Sequence, residues 1–155
     1  RSNALQLMGK GTHDSIMPLI NTAAVIGFGG VVTHTVGFEQ FIAVMIDSAL
    51  PPLLSMFTSV SLVSAITGSA TGGLQIFMQT MAPAYIEMGL QPEVIHRVAT
   101  MASGGFDSLP HCGGIVAMLT ITGLTHKEAY KDVGVITVVI PVLSTLGVMG
   151  LVALN

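Results

Sequence analysis

Charge is what this sequence has least of. Only 8% of its residues are Asp, Glu, Lys or Arg, against about a quarter in ordinary soluble domains. A soluble domain must cover its surface with polar side chains, and too few are available here. The five basic residues, Arg1, Lys10, Arg97, Lys127 and Lys131, form no patch, and the net charge is −3. Nucleic acid is therefore excluded as a partner. Cys112 is the single cysteine, which rules out an internal disulfide and a cysteine-rich metal site. No Ser-His-Asp, HExxH, Walker or dinucleotide pattern is present, so no catalytic residue, metal ligand or cofactor is expected. Residues 1–12 are polar and glycine-rich and hold no signal-peptide core. With no initiator Met, the chain reads as the interior of a longer protein.

What is abundant is apolar: 51% of residues, with a mean hydropathy of +0.79. Gly (18) and Pro (7) are plentiful, as they are in transmembrane helices. Ten Met residues read as core filler. These features predict an all-α integral membrane protein, a single transmembrane unit over residues 1–155.

Four segments divide it. Ile16 to Thr33, flanked by His13-Asp14 and His34, is uncharged and predicts a span over 14–35. Asn21, Gly27, Gly29 and Gly30 interrupt it, as in a helix packed against protein. Gly37 to Ser48 reads as a short interfacial helix holding Glu39 and Asp47. Ala49 to Ile86 has no charge and is divided by Gly68-Ser69-Ala70-Thr71-Gly72-Gly73. Its two arms, Leu53–Thr67 and Leu74–Met88, are each about fifteen residues, or roughly 22 Å of helix. That is short of a hydrocarbon core of about 30 Å, so residues 49–88 predict a re-entrant helical hairpin; two ordinary spans with a tight turn are the alternative. Residues 94–123 predict a span broken at Ser103-Gly104-Gly105-Phe106-Asp107-Ser108-Leu109-Pro110-His111. Such backbone survives at membrane depth only when protein-buried or lining a cavity. Leu124 to Asp132 reads as a polar loop, and Val133 to Leu154, without a charge, as the final span over 133–154. Lys127 and Lys131, with Arg1 and Lys10, place their segments in the cytoplasm by the positive-inside rule; Arg97 falls outside as a minor exception.

Two segments carry the chemistry. At the hairpin tip, the start of the second arm exposes backbone N–H groups that attract anions. Ser69 and Thr71 add hydroxyls, and Gly72 lets a ligand approach the backbone. A tip of small residues also serves tight helix packing. At the break, Asp107 is an ionisable group near mid-membrane, which is costly and usually functional. Histidine is the side chain suited to exchanging protons near neutral pH, so Asp107 and His111 are the candidate proton-coupling pair. Ser103, Gly104 and Ser108 are candidate substrate contacts. The alternative is that Asp107 caps a helix and His111 packs. His13, His34 and His126 read as solvated edge residues.

The runs Ser103–His111, Gly123-Leu-Thr-His-Lys-Glu-Ala-Tyr130 and Gly68-Ser-Ala-Thr-Gly72 resemble the gluconate:proton symporter (GntP) family, over nearly the whole chain. That resemblance implies the C-terminal half of an inverted-repeat transporter, with the N-terminal half absent. It implies proton-coupled symport of gluconate or a related hydroxy acid, including the hydroxybutyrate permease-like branch. It also implies a homodimer and a multi-pass place among the lipids of the bacterial inner membrane. By carry-over, Ser69, Thr71 and Gly72 at the tip and Ser103, Gly104, Asp107, Ser108 and His111 at the break would face a small organic-acid anion. Cys112 stands where Asn or Ser is expected in many relatives. The sequence leaves open a sodium-coupled organic-anion carrier and a non-catalytic membrane subunit. An intramembrane aspartyl enzyme needs two membrane aspartates, and only Asp107 qualifies.

Overall fold

The computed structural model describes residues 2–32 and 34–154. Arg1 and Thr33, two landmarks of the sequence reading, lie outside the described residues; so do Asp14, Asn21 and Gly29 beyond their backbone. Among the described residues the chain is helical throughout, with no strand.

A long first helix, α1 (Ser2–Val32), is followed by the short α2 (Val36–Ile46). Thr35 caps α2, its hydroxyl accepting the Phe38 N–H. Pro51-Pro52 opens α3 (Pro52–Thr67), where a missing N–H costs nothing. Gly68 ends α3 in the left-handed conformation, φ +61°. Its N–H reaches Ala65 O at 3.3 Å and the Ser69 N–H reaches Ser64 O at 3.2 Å, the two bonds of a Schellman close. Ser69 at once becomes the N-cap of α4 (Ala70–Thr80), its hydroxyl accepting the Gly72 N–H at 3.1 Å. Two residues thus connect the arms. The expected tip over 68–73 is shorter than its composition suggested, because residues 70–73 are already helical. After a kink at Met81, the second arm continues as α5 (Ala82–Glu87).

The arms press together at Gly73. A Cβ there would lie 2.5 Å from Ser64 Cα and 2.8 Å from Ser64 N. Farther from the tip, a buried polar knot fixes the arms. The fully buried Tyr85 hydroxyl lies 2.9 Å from Ser55 Oγ and 2.8 Å from Ser59 Oγ. Ser55 Oγ donates to Met45 O on α2 at 2.6 Å. Met56, Val60, Phe77, Met81, Ile95 and Val98 form the surrounding core.

Against α3 lies α6 (Pro92–Phe106), with Ser61 Oγ reaching Ala102 O at 3.4 Å. The interruption after α6 spans residues 107–112, and the chain resumes as α7 (Gly113–Thr122). The expected break began at Ser103, but Ser103, Gly104 and Gly105 are helical. Gly105 serves close packing: a Cβ there would meet Val142 Cγ2 at 3.1 Å.

The expected polar loop 124–132 is also corrected, since α8 (His126–Gly134) is helical. A capping box starts it: the Thr125 N–H and hydroxyl both donate to Glu128 Oε2, at 2.9 and 2.6 Å. Such a box satisfies helix-start donors. A π-helical stretch, Val135–Val139, follows, and the Ile140 N–H reaches Val135 O. It lies just before Pro141, which lacks an N–H and crowds the preceding turn. The chain ends in α9 (Ile140–Ala153). Among the described residues, His126–Ala153 is the one helix long and apolar enough to cross a membrane. Its apolar window is only 11% buried, unlike the mostly buried core helix of a soluble domain.

Candidate functional site

The tip and the break, far apart in sequence, meet in the fold. His111 Nε2 lies 2.9 Å from Ala65 O, in the last turn of α3. A carbonyl only accepts, so this nitrogen carries the proton. Beside it, a Cβ on Gly68 would touch Cys112 Sγ at 3.5 Å and Cys112 Cα at 3.6 Å. Cys112 is buried and packs with Ile115 and Leu119. The end of the break is therefore seated on the turn between the arms.

The tip residues divide by task. The Ser69 hydroxyl is engaged as the cap of α4, and its carbonyl accepts the Gly73 N–H at 2.9 Å and the Thr67 hydroxyl at 3.2 Å. Gly72 is buried and supplies the capped N–H, whereas Thr71 is exposed in the first turn of α4. Nearby, the Ser64 hydroxyl is fully buried and has no partner among the described residues.

At the break, Asp107 is the C-terminal cap residue of α6 and half-buried. The Ser108 hydroxyl donates to its Oδ1 at 3.0 Å. Ser103 lies within α6, buried, donating to Thr100 O at 2.9 Å. Gly104 is half-buried in α6 with open space where a Cβ would stand. Among the described residues no hydrogen bond or ion pair joins Asp107 to His111; Asp107 bonds to Ser108, and His111 turns to α3.

Two residues to which the sequence reading gave no site role reach the break from α8. Tyr130 donates its hydroxyl to Ser108 O at 3.0 Å, and His126 Nε2 donates to Pro110 O at 2.8 Å. His126 is therefore not simply a solvated edge residue. The signal that could have found them is their i, i+4 spacing behind the Thr125…Glu128 capping box, which puts both on one helix face. Outside the apolar stretch, the Thr125 hydroxyl and N–H hold the Glu128 carboxyl below its usual value. Among the described residues no group of His, Cys, Asp and Glu could hold a metal ion.

Chemically, the arrangement offers hydroxyls, helix-start N–H groups and one carboxyl around two interrupted helices. No family model matches this chain, and no solved structure matches it. Among curated proteins it is 35% identical, over 136 residues, to one from Bacillus subtilis (strain 168) named "Uncharacterized transporter YxjC". The match covers 85% of this chain but 29% of that relative's length. With the exposed apolar helix of His126–Ala153, it supports a membrane protein. Over most of its length, then, the chain is similar to one stretch of a protein named a transporter, which supports a transporter family and a non-enzymatic role.

Proposed function

We propose that this chain is part of a secondary carrier that moves a small organic-acid anion together with a proton across the bacterial inner membrane. The observation that carries the reading is the seating of one interrupted helix on another: His111 on Ala65 O, and Cys112 against Gly68. Interrupted helices meeting at one place are a general transporter design, with ligands held at helix ends near the midplane. In this reading α3 and α4–α5 form the re-entrant hairpin, and α6–break–α7 the broken span. The start of α4, with the exposed Thr71, and the break, with Ser108, take the carboxylate, and the small Gly72, its N–H held by Ser69, keeps the α4 start narrow. Ser69 acts by capping and so fixing the α4 start, and Gly104 gives a ligand room beside α6. Asp107 takes the proton, and His111 links that event to the hairpin. The resemblance to the gluconate:proton symporters points to gluconate or 3-hydroxybutyrate, with a second, inverted half and a dimer completing the carrier.

A sodium-coupled reading has one observation of its own. The Thr67 hydroxyl stands among the carbonyl oxygens of Val63, Ser64 and Ser69, at 2.9, 3.3 and 3.2 Å, at the negative end of α3.

Uptake of labelled gluconate and 3-hydroxybutyrate by the full-length protein in vesicles tests both readings. Uptake that requires an imposed proton gradient, and is lost in Asp107→Asn, is the expected result. Uptake that ignores protons but follows sodium replaces the first reading with the second. Uptake untouched by Asp107→Asn removes Asp107 from the coupling.

A further inference from the structure

An interrupted helix leaves carbonyls that must find donors. Three consecutive carbonyls of the break have done so. Leu109 O accepts the Cys112 N–H at 2.9 Å, within the break itself. The other two are engaged from α8: Ser108 O by Tyr130, and Pro110 O by His126. The two side chains stand one turn apart on one helix face, their rings 6.1 Å between centroids. The face is firmly built. The Thr125–Glu128 box fixes its start. The Tyr130 ring lies against Gly134, where a Cβ would be 3.2 Å from Cε1. Leu109, Ala129, Tyr130 and Val133 pack around Cys112, Ile115 and Leu119.

We infer that His126 and Tyr130 are positioning residues, tying the Pro110 and Ser108 carbonyls back to α8 so that the break presents donors to an anion. The inference rests on the carrier reading above. Its physics is simple. A carbonyl oxygen repels a carboxylate, and a free one could also rotate toward the ligand. With these three carbonyls held by protein donors, none of them is left to face an anion, and the Ser108 hydroxyl and a protonated Asp107 are the side-chain donors of this stretch. Neither His126 nor Tyr130 touches the ligand in this scheme. Each acts through the backbone that it holds.

The test uses the full-length protein in vesicles with Tyr130→Phe, His126→Ala and His126→Gln. The first keeps the ring and loses only the hydroxyl; the last keeps a donor. One readout is KM against maximal rate for the transported acid. The other is the rate at which N-ethylmaleimide alkylates Cys112, followed on its own peptide by mass spectrometry. Cys112 is 1% exposed, so its alkylation reports opening of the break without reference to transport. Tyr130→Phe and His126→Ala are each expected to raise KM about fivefold, with little change in maximal rate, and to speed alkylation about as much, the scale of one hydrogen bond. His126→Gln is expected to return both toward their starting values. Unchanged KM and unchanged alkylation in the Tyr130→Phe/His126→Ala double variant would overturn the inference. If the unaltered protein carries no acid, the carrier reading fails on its own, and alkylation alone decides: faster in the double variant supports the tie, unchanged overturns it.

Discussion

The turn between α3 and α4 and the break after α6 face the same problem and answer it differently. Both interrupt a run of helix, and both leave backbone groups to be paired. The turn closes on itself: Gly68 and Ser69 bond back to Ala65 and Ser64, and the Ser69 hydroxyl caps Gly72. The break borrows instead, giving His111 to α3 and taking Tyr130 and His126 from α8. A self-closed turn keeps its shape wherever its two arms go. A break held by other elements moves when they move, so it is the better place to couple binding to motion.

The sharpest way to break this comparison is to part the arms. Gly73→Ala puts a Cβ 2.5 Å from Ser64 Cα, a backbone clash that no rotamer relieves. A loss of about 3 kcal/mol is expected, from overpacking, read by denaturant unfolding in detergent. Adding Ser64→Ala should not restore it, because the clash is with backbone. Ser64→Ala alone should be neutral or stabilising, since its buried hydroxyl has no partner among the described residues and loses nothing by removal. Gly104→Ala, with open space around it, should instead gain about 1 kcal/mol from helix propensity.

Next in size is the knot that fixes the arms from α2. Tyr85→Phe removes a fully buried hydroxyl standing between Ser55 and Ser59. The cost expected is about 2 kcal/mol, because buried partners are left short of a bond. The same unfolding measurement reads it. A cost near zero would mean that the knot is not what holds α5 to α3.

How much of this was legible in the sequence follows from how far each interaction reaches. The interruption at Gly68-Ser69 was legible because its chemistry is local: a left-handed glycine and a capping serine are a stop and a start side by side. The helices α3 and α6 were legible from their opening prolines, Pro51-Pro52 and Pro92, and α2 from its short apolar run. The break was placed too early, because Ser103-Gly104-Gly105 reads as a breaker while Gly105 actually admits Val142 of α9. Glycine for close approach and glycine for a turn look alike until the neighbour is known. The loop expected at 124–132 hid a capping box in plain view, outweighed there by its charges. The seating of His111 on Ala65 and the reach of His126 and Tyr130 to the break could not be read, because nothing local in the chain records which elements pack together.

At the turn itself the expected costs are near 1 kcal/mol. Gly68→Ala forces a side chain into φ +61°, at about 1 kcal/mol, while its Cβ meets Cys112 only at ordinary contact distance. Ser69→Ala removes the cap of α4 at about 1 kcal/mol. If the turn is as self-contained as its bonds imply, neither change should alter Cys112 alkylation. Should Ser69→Ala expose Cys112 as Tyr130→Phe is expected to, turn and break would be one cooperative unit, and the contrast between them would fall.

The smallest effect expected is at the start of α8, where the surface that holds the break begins. Glu128 accepts two bonds from Thr125, and its carboxyl is held below the ordinary 4.5. The sign follows from linkage. A depressed carboxyl stabilises the folded helix start above the ordinary value, and that support is lost as pH falls through the depressed one. Hydrogen-exchange protection over residues 126–129, corrected for intrinsic rates, should therefore drop on acidification through that window. Glu128→Gln should lower protection at neutral pH and flatten this acid dependence, since an amide cannot titrate. Because the side chain is exposed, the effect should also shrink in high salt. Protection that falls with acid equally in Glu128→Gln would assign the dependence to another group. Protection that never falls would mean that the anchoring of His126 and Tyr130 needs no capping box, and that packing of Leu109 and Val133 around Cys112 suffices to seat α8 on the break.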